Sequence, residues 1–391
     1  MKISFFKLLL FISILSASCA SSYAQDSSHL RISLLTCTPG EELYSTFGHS
    51  ALRVVDSSSV TDYVYNYGTF NFNDEGFYLK FIRGKLMYYI SLENFKDADG
   101  YYGFESSYKL EHRGITEQVL NLSAEEKINI QHLLNKNLKE ENKFYKYDFF
   151  LDNCTTRLRD IIIKSKHPNP LLPAVMPTTT TFRNAIHLYL DHNKQYWSKL
   201  GIDILLGAPT DAVMTTSQQQ FLPDNLMKSL DSSKNVKIVR SSSNLYDLPQ
   251  STDNLSWFTP VVFFSLLMFL FIALGFSKNK RVQMILSGLD GFLFFMTGLL
   301  GILLIFMMTA TDHSMTKNNY NILWAWPTHL IISFFINSKR KIVKKYFLIV
   351  SVCLVLLLLS WFFLPQQMSP ALIPFLLLLL YRSVNKYLLI S

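Results

Sequence analysis

The chain is poor in charge. Only 17% of its 391 residues are Asp, Glu, Lys or Arg, against about 25% in an ordinary soluble protein. With 49% hydrophobic residues, this composition excludes a disordered chain. Acidic residues all but vanish from the C-terminal third. Residues 257–391 hold eleven of the 37 Lys/Arg but only Asp290 and Asp312 of the 29 Asp/Glu. The formal +8 therefore lies in the most apolar part of the chain, and the rest balances to −1. That placement argues against a basic surface for nucleic acid. Cysteine is scarce too, with four residues. Once a leader carrying Cys19 is removed, Cys37, Cys154 and Cys353 give no zinc framework and permit one disulfide, Cys37 to Cys154, or free thiols. Cys353 lies in an apolar run and reads as filler. No metal and no cofactor is expected.

What the chain has is long apolar runs. Lys2 and Lys7 precede Leu8–Leu15, and Ser22-Tyr23-Ala24 follows, so residues 1–24 read as a signal peptide. Cys19 sits behind a poor lipobox, which leaves its lipidation open. Five runs follow Trp257, at about 258–276, 291–310, 322–336, 346–364 and 370–381, and a spanning helix needs about 20 residues. The loops at 277–281 and 337–345, with Arg382 and Lys386, carry ten of the eleven cations of this part. The positive-inside rule then puts residues 25–256 outside the cytoplasm and the C-terminus inside. Asp290 falls at a span entrance, His329 reads as a packed histidine, and Trp324 and Trp326 suit an interfacial belt. So few charges within the spans argue against an ion pump.

The outer part reads as α+β. Strands are expected at 30–36, 49–55, 62–67, 79–92 and 115–122, with a hairpin over 49–67. Ser123-Ala-Glu-Glu126 is a capping box opening a helix to about Lys139. Asp152 or Asn153 is a natural N-cap, which puts Cys154 in a first helical turn, where the dipole favours thiolate. A proline-rich linker and a short helix at 181–192 follow. Residues 209–255 read as loosely structured. The expected divisions are 1–24 signal peptide, 25–165 thiol domain, 166–256 extension and linker, and 257–391 transmembrane bundle.

A thiol at a helix start and His49 on a strand can form an activated pair, with a third group orienting the ring. If the hairpin turns near 57–59, His49 faces Asn66 or Tyr67. Asn66 is the candidate, with Asp62 as the alternative. A buried thiol and a strand histidine would give the same pattern without chemistry.

Gly48-His49-Ser-Ala-Leu-Arg-Val and Asp152-Asn153-Cys154-Thr resemble the circularly permuted papain-like (NlpC/P60) group, including its lecithin:retinol acyltransferase-like branch. Cys37-Thr-Pro-Gly-Glu, Phe47-Gly-His-Ser50, Tyr65-Asn-Tyr-Gly-Thr-Phe70, Phe81-Ile-Arg-Gly84 and Asn318-Asn-Tyr-Asn-Ile-Leu-Trp-Ala-Trp-Pro327 resemble the Lnb-type lipoprotein N-acyltransferase family. The resemblance implies an α+β permuted papain-like domain outside the bacterial inner membrane, ahead of an all-α bundle of about five helices. It implies transfer of an acyl chain from a phospholipid, through a Cys154 thioester, to the amine of a diacylated lipoprotein. Bilayer lipids are further partners. Asp152, Asn153, Arg83 (with Lys85), Asp312, His313, Asn319 and Asn321 are candidate supporting or substrate-binding residues. The competing expectations are a thiol amidase or peptidase acting on peptidoglycan, and a non-enzymatic envelope assembly factor or sensor with a Cys37–Cys154 disulfide.

Overall fold

A computed structural model describes residues 28–96, 103–246 and 257–389; the expected signal segment, with Cys19, lies outside them. Apolar alternation folds into an antiparallel seven-stranded sheet. Its strands are β1 (Leu30–Cys37), β2 (His49–Asp56), β3 (Thr61–Thr69), β4 (Met87–Asn94), β5 (Ile115–Leu120), β6 (Phe144–Lys146) and β7 (Val239–Tyr246), in the order β6-β4-β3-β2-β1-β5-β7. The outer domain adds helices α1 (Phe77–Ile82), α2 (Phe104–Leu110), α3 (Ala124–Leu138), α4 (Cys154–Ser165), α5 (Phe182–His192), α6 (Tyr196–Leu205) and α7 (Pro223–Asp231). Side chains of a strand alternate between faces. Leu34, Leu52, Tyr65 and Ile90 meet α3 and α4 through Ile130, Leu134, Leu158 and Ile162. Leu35, Ala51 and Val64 meet α2 on the other face through Phe104. The Ser123 capping box forms as the sequence indicates.

Two stretches depart from expectation. Residues 79–82, expected to begin a strand, belong instead to helix α1, where Phe77 and Phe81 stack one turn apart at 6.1 Å. Residues 209–246 are folded rather than loose. Leu226 and Leu230 of α7 enter the main core, and β7 closes one edge of the sheet on β5. Its Ser241-Ser-Ser243 is exposed, since an edge strand is held by backbone pairing and shows little apolar alternation.

The C-terminal part is helical: α8 (Pro260–Gly275), α9 (Lys280–Thr309), α10 (Thr328–Ser333), α11 (Lys341–Leu359) and α12 (Ile373–Leu389). Among the described residues, three helices are long and apolar enough to cross a membrane: Lys280–Thr309, Lys341–Leu359 and the stretch Pro370–Leu388. Helix α8 is apolar but only 16 residues long. The run at 322–336 is not a continuous helix, because its backbone breaks between Trp324 and Pro327 and leaves only α10. Trp324 is buried, not interfacial, and its indole donates to Asn321 Oδ1 at 3.0 Å. The broken segment lies tight along α9. A Cβ at Gly298 would stand 2.2 Å from Leu330 N, and one at Gly301 would stand 2.0 Å from Ala325 O. Irregular backbone at membrane depth is tolerated where protein covers it.

Asp290 is not at a solvated entrance. It is fully buried and holds Arg382 at 2.6 and 2.8 Å and Lys386 at 2.9 Å. Two of the terminal cations are thus spent inside the bundle, tying α12 to α9.

The two parts are joined by captured carbonyls. Arg183, fully buried, reaches Asp203, Asp211, Thr210 and the carbonyls of Leu206 and Gly207. This shapes the loop after α6. Gly207 presses on the membrane part so closely that a Cβ would stand 1.9 Å from Lys317 O. Asn319 donates to the carbonyls of Ile204 and Leu205, and Asn321 to those of Asp203 and Ile204.

Removing the charge of Asp290 strands two buried cations, which costs about 3–5 kcal/mol. Asp290→Asn is therefore expected to lower the thermal midpoint in detergent sharply, with Arg382→Met partly restoring it. An unchanged midpoint for Asp290→Asn would show the cluster to be energetically idle.

Candidate active site

The site starts at the helix that carries the cysteine. Asn153 is the N-cap of α4: its Oδ1 accepts from Thr156 N–H at 2.9 Å, and Thr156 Oγ1 accepts from Asn153 N–H at 2.9 Å. Its Nδ2 donates to the carbonyls of Phe149 and Phe221 at 2.8 and 2.9 Å. With its amide spent, Asn153 positions Cys154 rather than binding substrate. Asp152 clamps Arg157 through two 2.7 Å bonds and turns away from the thiol.

Cys154 and His49 belong to different faces of the sheet. Ser50, Leu52 and Val54 point toward α4, so His49 belongs to the face shared with Ala51. They meet at the sheet's end. Gly68, at φ +90°, lies where the β3–β4 register shifts between Tyr67 and Thr69. The position a Cβ would take there is 3.7 Å from Cys154 Cβ. A glycine lets the helix start close on the strand. The His49 ring and the Ser50 N–H then both act on the sulfur, and Thr155 Oγ1 lies 3.8 Å from it.

His49 Nε2 stands 2.6 Å from Asn66 Oδ1, and Asn66 Nδ2 donates to Glu93 Oε1 at 3.0 Å. A carboxamide oxygen only accepts, so Nε2 carries a proton and Nδ1 is left for the sulfur. The hairpin pairs Leu52 with Tyr65 and turns at 57–60, and Asn66 is the residue that reaches the ring. The alternative, Asp62, is bound to Arg53 at 2.6 and 2.7 Å. Glu93 also accepts from Ser91 Oγ at 3.1 Å. The sequence did not single it out, although strand alternation puts it on Asn66's face next to Ser91, the cross-strand partner of Asn66.

Burial pushes the Cys154 thiol up, but the charge and hydrogen bond of His49, the Ser50 amide and Thr155 outweigh it and bring it down to about 7. For His49, burial opposes protonation, while the thiolate and the bond to Asn66 raise its pKa. Each side chain thus favours the charged form of the other. Cys37 lies across from His49 in the β1–β2 ladder; burial drives its thiol to about 12. Cys37 and Cys154 are both free, so the disulfide of the non-enzymatic reading is not formed.

The pair opens into a cleft of about 680 Å³. Leu43, Phe47, Phe70, Phe81, Phe149 and Leu206 wall it with apolar surface, and Asp312 to Thr316 of the membrane part close one side. His313 bonds the Ile82 carbonyl at 3.0 Å, Asp312 N–H donates to Arg83 O at 2.9 Å, and the Asp312 carboxylate pairs with Lys146 at 3.0 Å. These contacts seat the loop at the cleft rim. Arg83 joins them through its carbonyl, and its side chain does not line the cleft. Asn319 and Asn321 are buried on the α6 carbonyls, away from the cleft.

Residues 21–186 match the family model described as the Lnb N-terminal periplasmic domain, and residues 251–391 match the Lnb transmembrane domain. The chain belongs to the Lnb-type lipoprotein N-acyltransferase family. No curated protein and no solved structure matches it. Family membership makes it a membrane-anchored protein of lipoprotein processing whose sheet domain is periplasmic. The stretch between the two Lnb matches contains Phe221, whose carbonyl holds the Asn153 cap, and β7, which closes the sheet.

Alkylation of Cys154 by iodoacetamide is expected to rise to half its plateau near pH 7, since thiolate forms as pH climbs through the lowered value. In His49→Ala the opposing burial remains and the midpoint moves upward. A midpoint that ignores the substitution would separate the two side chains chemically.

Proposed function

We propose that the chain transfers an acyl chain from a phospholipid to the α-amine of a diacylglyceryl-cysteine lipoprotein, with Cys154 as nucleophile. The observation that carries this reading is an activated Cys154–His49–Asn66 set at the bottom of an apolar cleft, one wall of which is the outer loop of the membrane part. The Cys154 thiolate attacks the ester carbonyl, and the amide N–H groups at the start of α4 face the developing oxyanion. The tetrahedral adduct collapses by breaking the ester C–O bond. The leaving alkoxide takes the proton of imidazolium Nδ1 and departs as lysophospholipid, leaving a thioester. The amine nitrogen of the lipoprotein then attacks the thioester. His49 takes the amine proton, an amide forms and the Cys154 thiolate is released. Asn66 and Glu93 hold the ring through both halves.

Both substrates are embedded in lipid, and the cleft wall suits that. Phe72, Tyr78, Leu79, Phe81 and Ile82 on and beside α1 are exposed, and Ile82 is held by His313, just beyond the end of α9. A peptidoglycan amidase has no use for such a surface. The sheet domain is read as permuted papain-like, with histidine strand before cysteine helix. The bundle is read as five passes in the bacterial inner membrane, with the C-terminus in the cytoplasm. The third pass is the broken segment, which follows α9 from Gly301 to the Ser287–Asn337 hydrogen bond near its basic end.

Purified protein held in phospholipid without acceptor is expected to gain the mass of one acyl chain on Cys154, released by hydroxylamine, with one lysophospholipid formed per thioester. Cys154→Ala is expected to reduce N-acylation of lipoproteins at least about a thousandfold, read from their N-terminal peptides by mass spectrometry. Triacylated N-termini persisting in a strain that carries only this variant would sink the reading, and muropeptide cleavage instead would favour the amidase.

A further inference from the structure

Beside the nucleophile the cleft has a second polar end that the reaction above does not use. Arg113 follows α2 and precedes β5. Its Nε donates to Thr38 O at 2.9 Å, its Nη1 pairs with Glu111 at 2.9 Å, and its guanidinium lies 4.5 Å from the Tyr108 ring centroid. The residue is only 5% exposed. Its Nη2 has no partner, yet Arg113 lines the same cleft as Cys154 and His49. A guanidinium this deeply buried normally spends its donors. Three contacts fix its plane and leave one edge free.

The position is also specific. Thr38, which anchors Arg113, follows Cys37, and Cys37 lies opposite His49 across one strand spacing, about 4.8 Å. Arg113, Cys154 and His49 therefore border one cleft. A glycerophospholipid carries its phosphate a few bonds from its ester carbonyls, and guanidinium donors match phosphate oxygens. Glu111 is half-exposed, lines the cleft beside Arg113 and neutralises part of its charge, and Nη2 is the donor left without a partner.

We propose that Arg113 binds the phosphodiester of the acyl donor through its unpartnered Nη2 edge, and so selects a phospholipid over a neutral glyceride and sets which ester reaches Cys154. This rests on the acyl-transfer reading above and adds the donor's headgroup chemistry to it.

The test compares two acyl donors on the full-length protein in detergent: a diacyl phospholipid, and p-nitrophenyl palmitate, which has no phosphate. In Arg113→Gln, the ratio of kcat/KM for phospholipid to that for p-nitrophenyl palmitate is expected to fall roughly ten- to hundredfold, mostly through KM. Arg113→Lys should recover part of it. Equal loss with both donors would overturn the proposal and make Arg113 a support of the catalytic pair. Should Arg113→Gln not fold, the wild-type protein decides. An ether lysophospholipid is expected to inhibit p-nitrophenyl palmitate turnover at least about tenfold more strongly than the matched phosphate-free monoalkylglycerol. Equal inhibition by the two, or inhibition by inorganic phosphate alone as strong as by the lysophospholipid, would overturn it. Absence of any Cys154 thioester with either donor in the wild type would instead bring down the acyl-transfer reading itself.

Discussion

A thiolate and an imidazolium buried together are stable only if each is held by several hydrogen bonds, because removal of either charge from water is expensive. Much of this molecule answers that requirement. The sulfur receives the His49 ring, an amide of β2 and the Thr155 hydroxyl at a capped helix start. The ring receives Asn66, and Asn66 receives Glu93. Those groups come from α4, β2, β3 and β4, so the pair exists only where helix and sheet meet. Gly68 is the point at which they can approach.

The membrane part completes the site rather than merely holding it. Its outer loop forms a wall of the cleft and is fixed to both ends of the periplasmic domain. Gly84, His313 and Asp312 meet on one side, and Gly207 and Lys317 on the other. Backbone carbonyls make most of these joints, with Asn319 and Asn321 as the donors. Such joints have strict geometry and little tolerance for sliding, which keeps the outer loop seated on the cleft.

The juxtaposition of Cys154, His49 and Asn66 was legible because its signals are local. An N-cap fixes where Cys154 sits, and a hairpin brings His49 and Asn66 onto one face. Glu93 lies one strand further and needed the β3–β4 register, which a helix and the Gly84 turn intervene to obscure. Asn319 and Asn321 serve as anchors, one of the supporting roles open to them, whereas Trp324 departs from its interfacial reading. Polar and aromatic residues near a span end look like lipid-facing groups, whereas here they satisfy carbonyls of α6 and one another. The break in the third apolar run is likewise tertiary, since composition counts apolar residues and not the closeness of α9. Edge strand β7 gives no apolar alternation to read, and Asp290 gave no sign that its partners stand ninety residues away.

The carbonyl of Phe221 on the Asn153 cap carries a consequence for the order in which the protein is made. Cys154 is encoded early, but the cap of its helix is complete only after residue 221 has been synthesised, and the sheet beneath it only after β7, shortly before the first apolar helix of the bundle. A nascent chain translocated past Cys154 therefore carries the thiol without the framework that activates it. The full environment of the Cys154 sulfur is thus assembled at about the moment the first apolar helix of the bundle emerges.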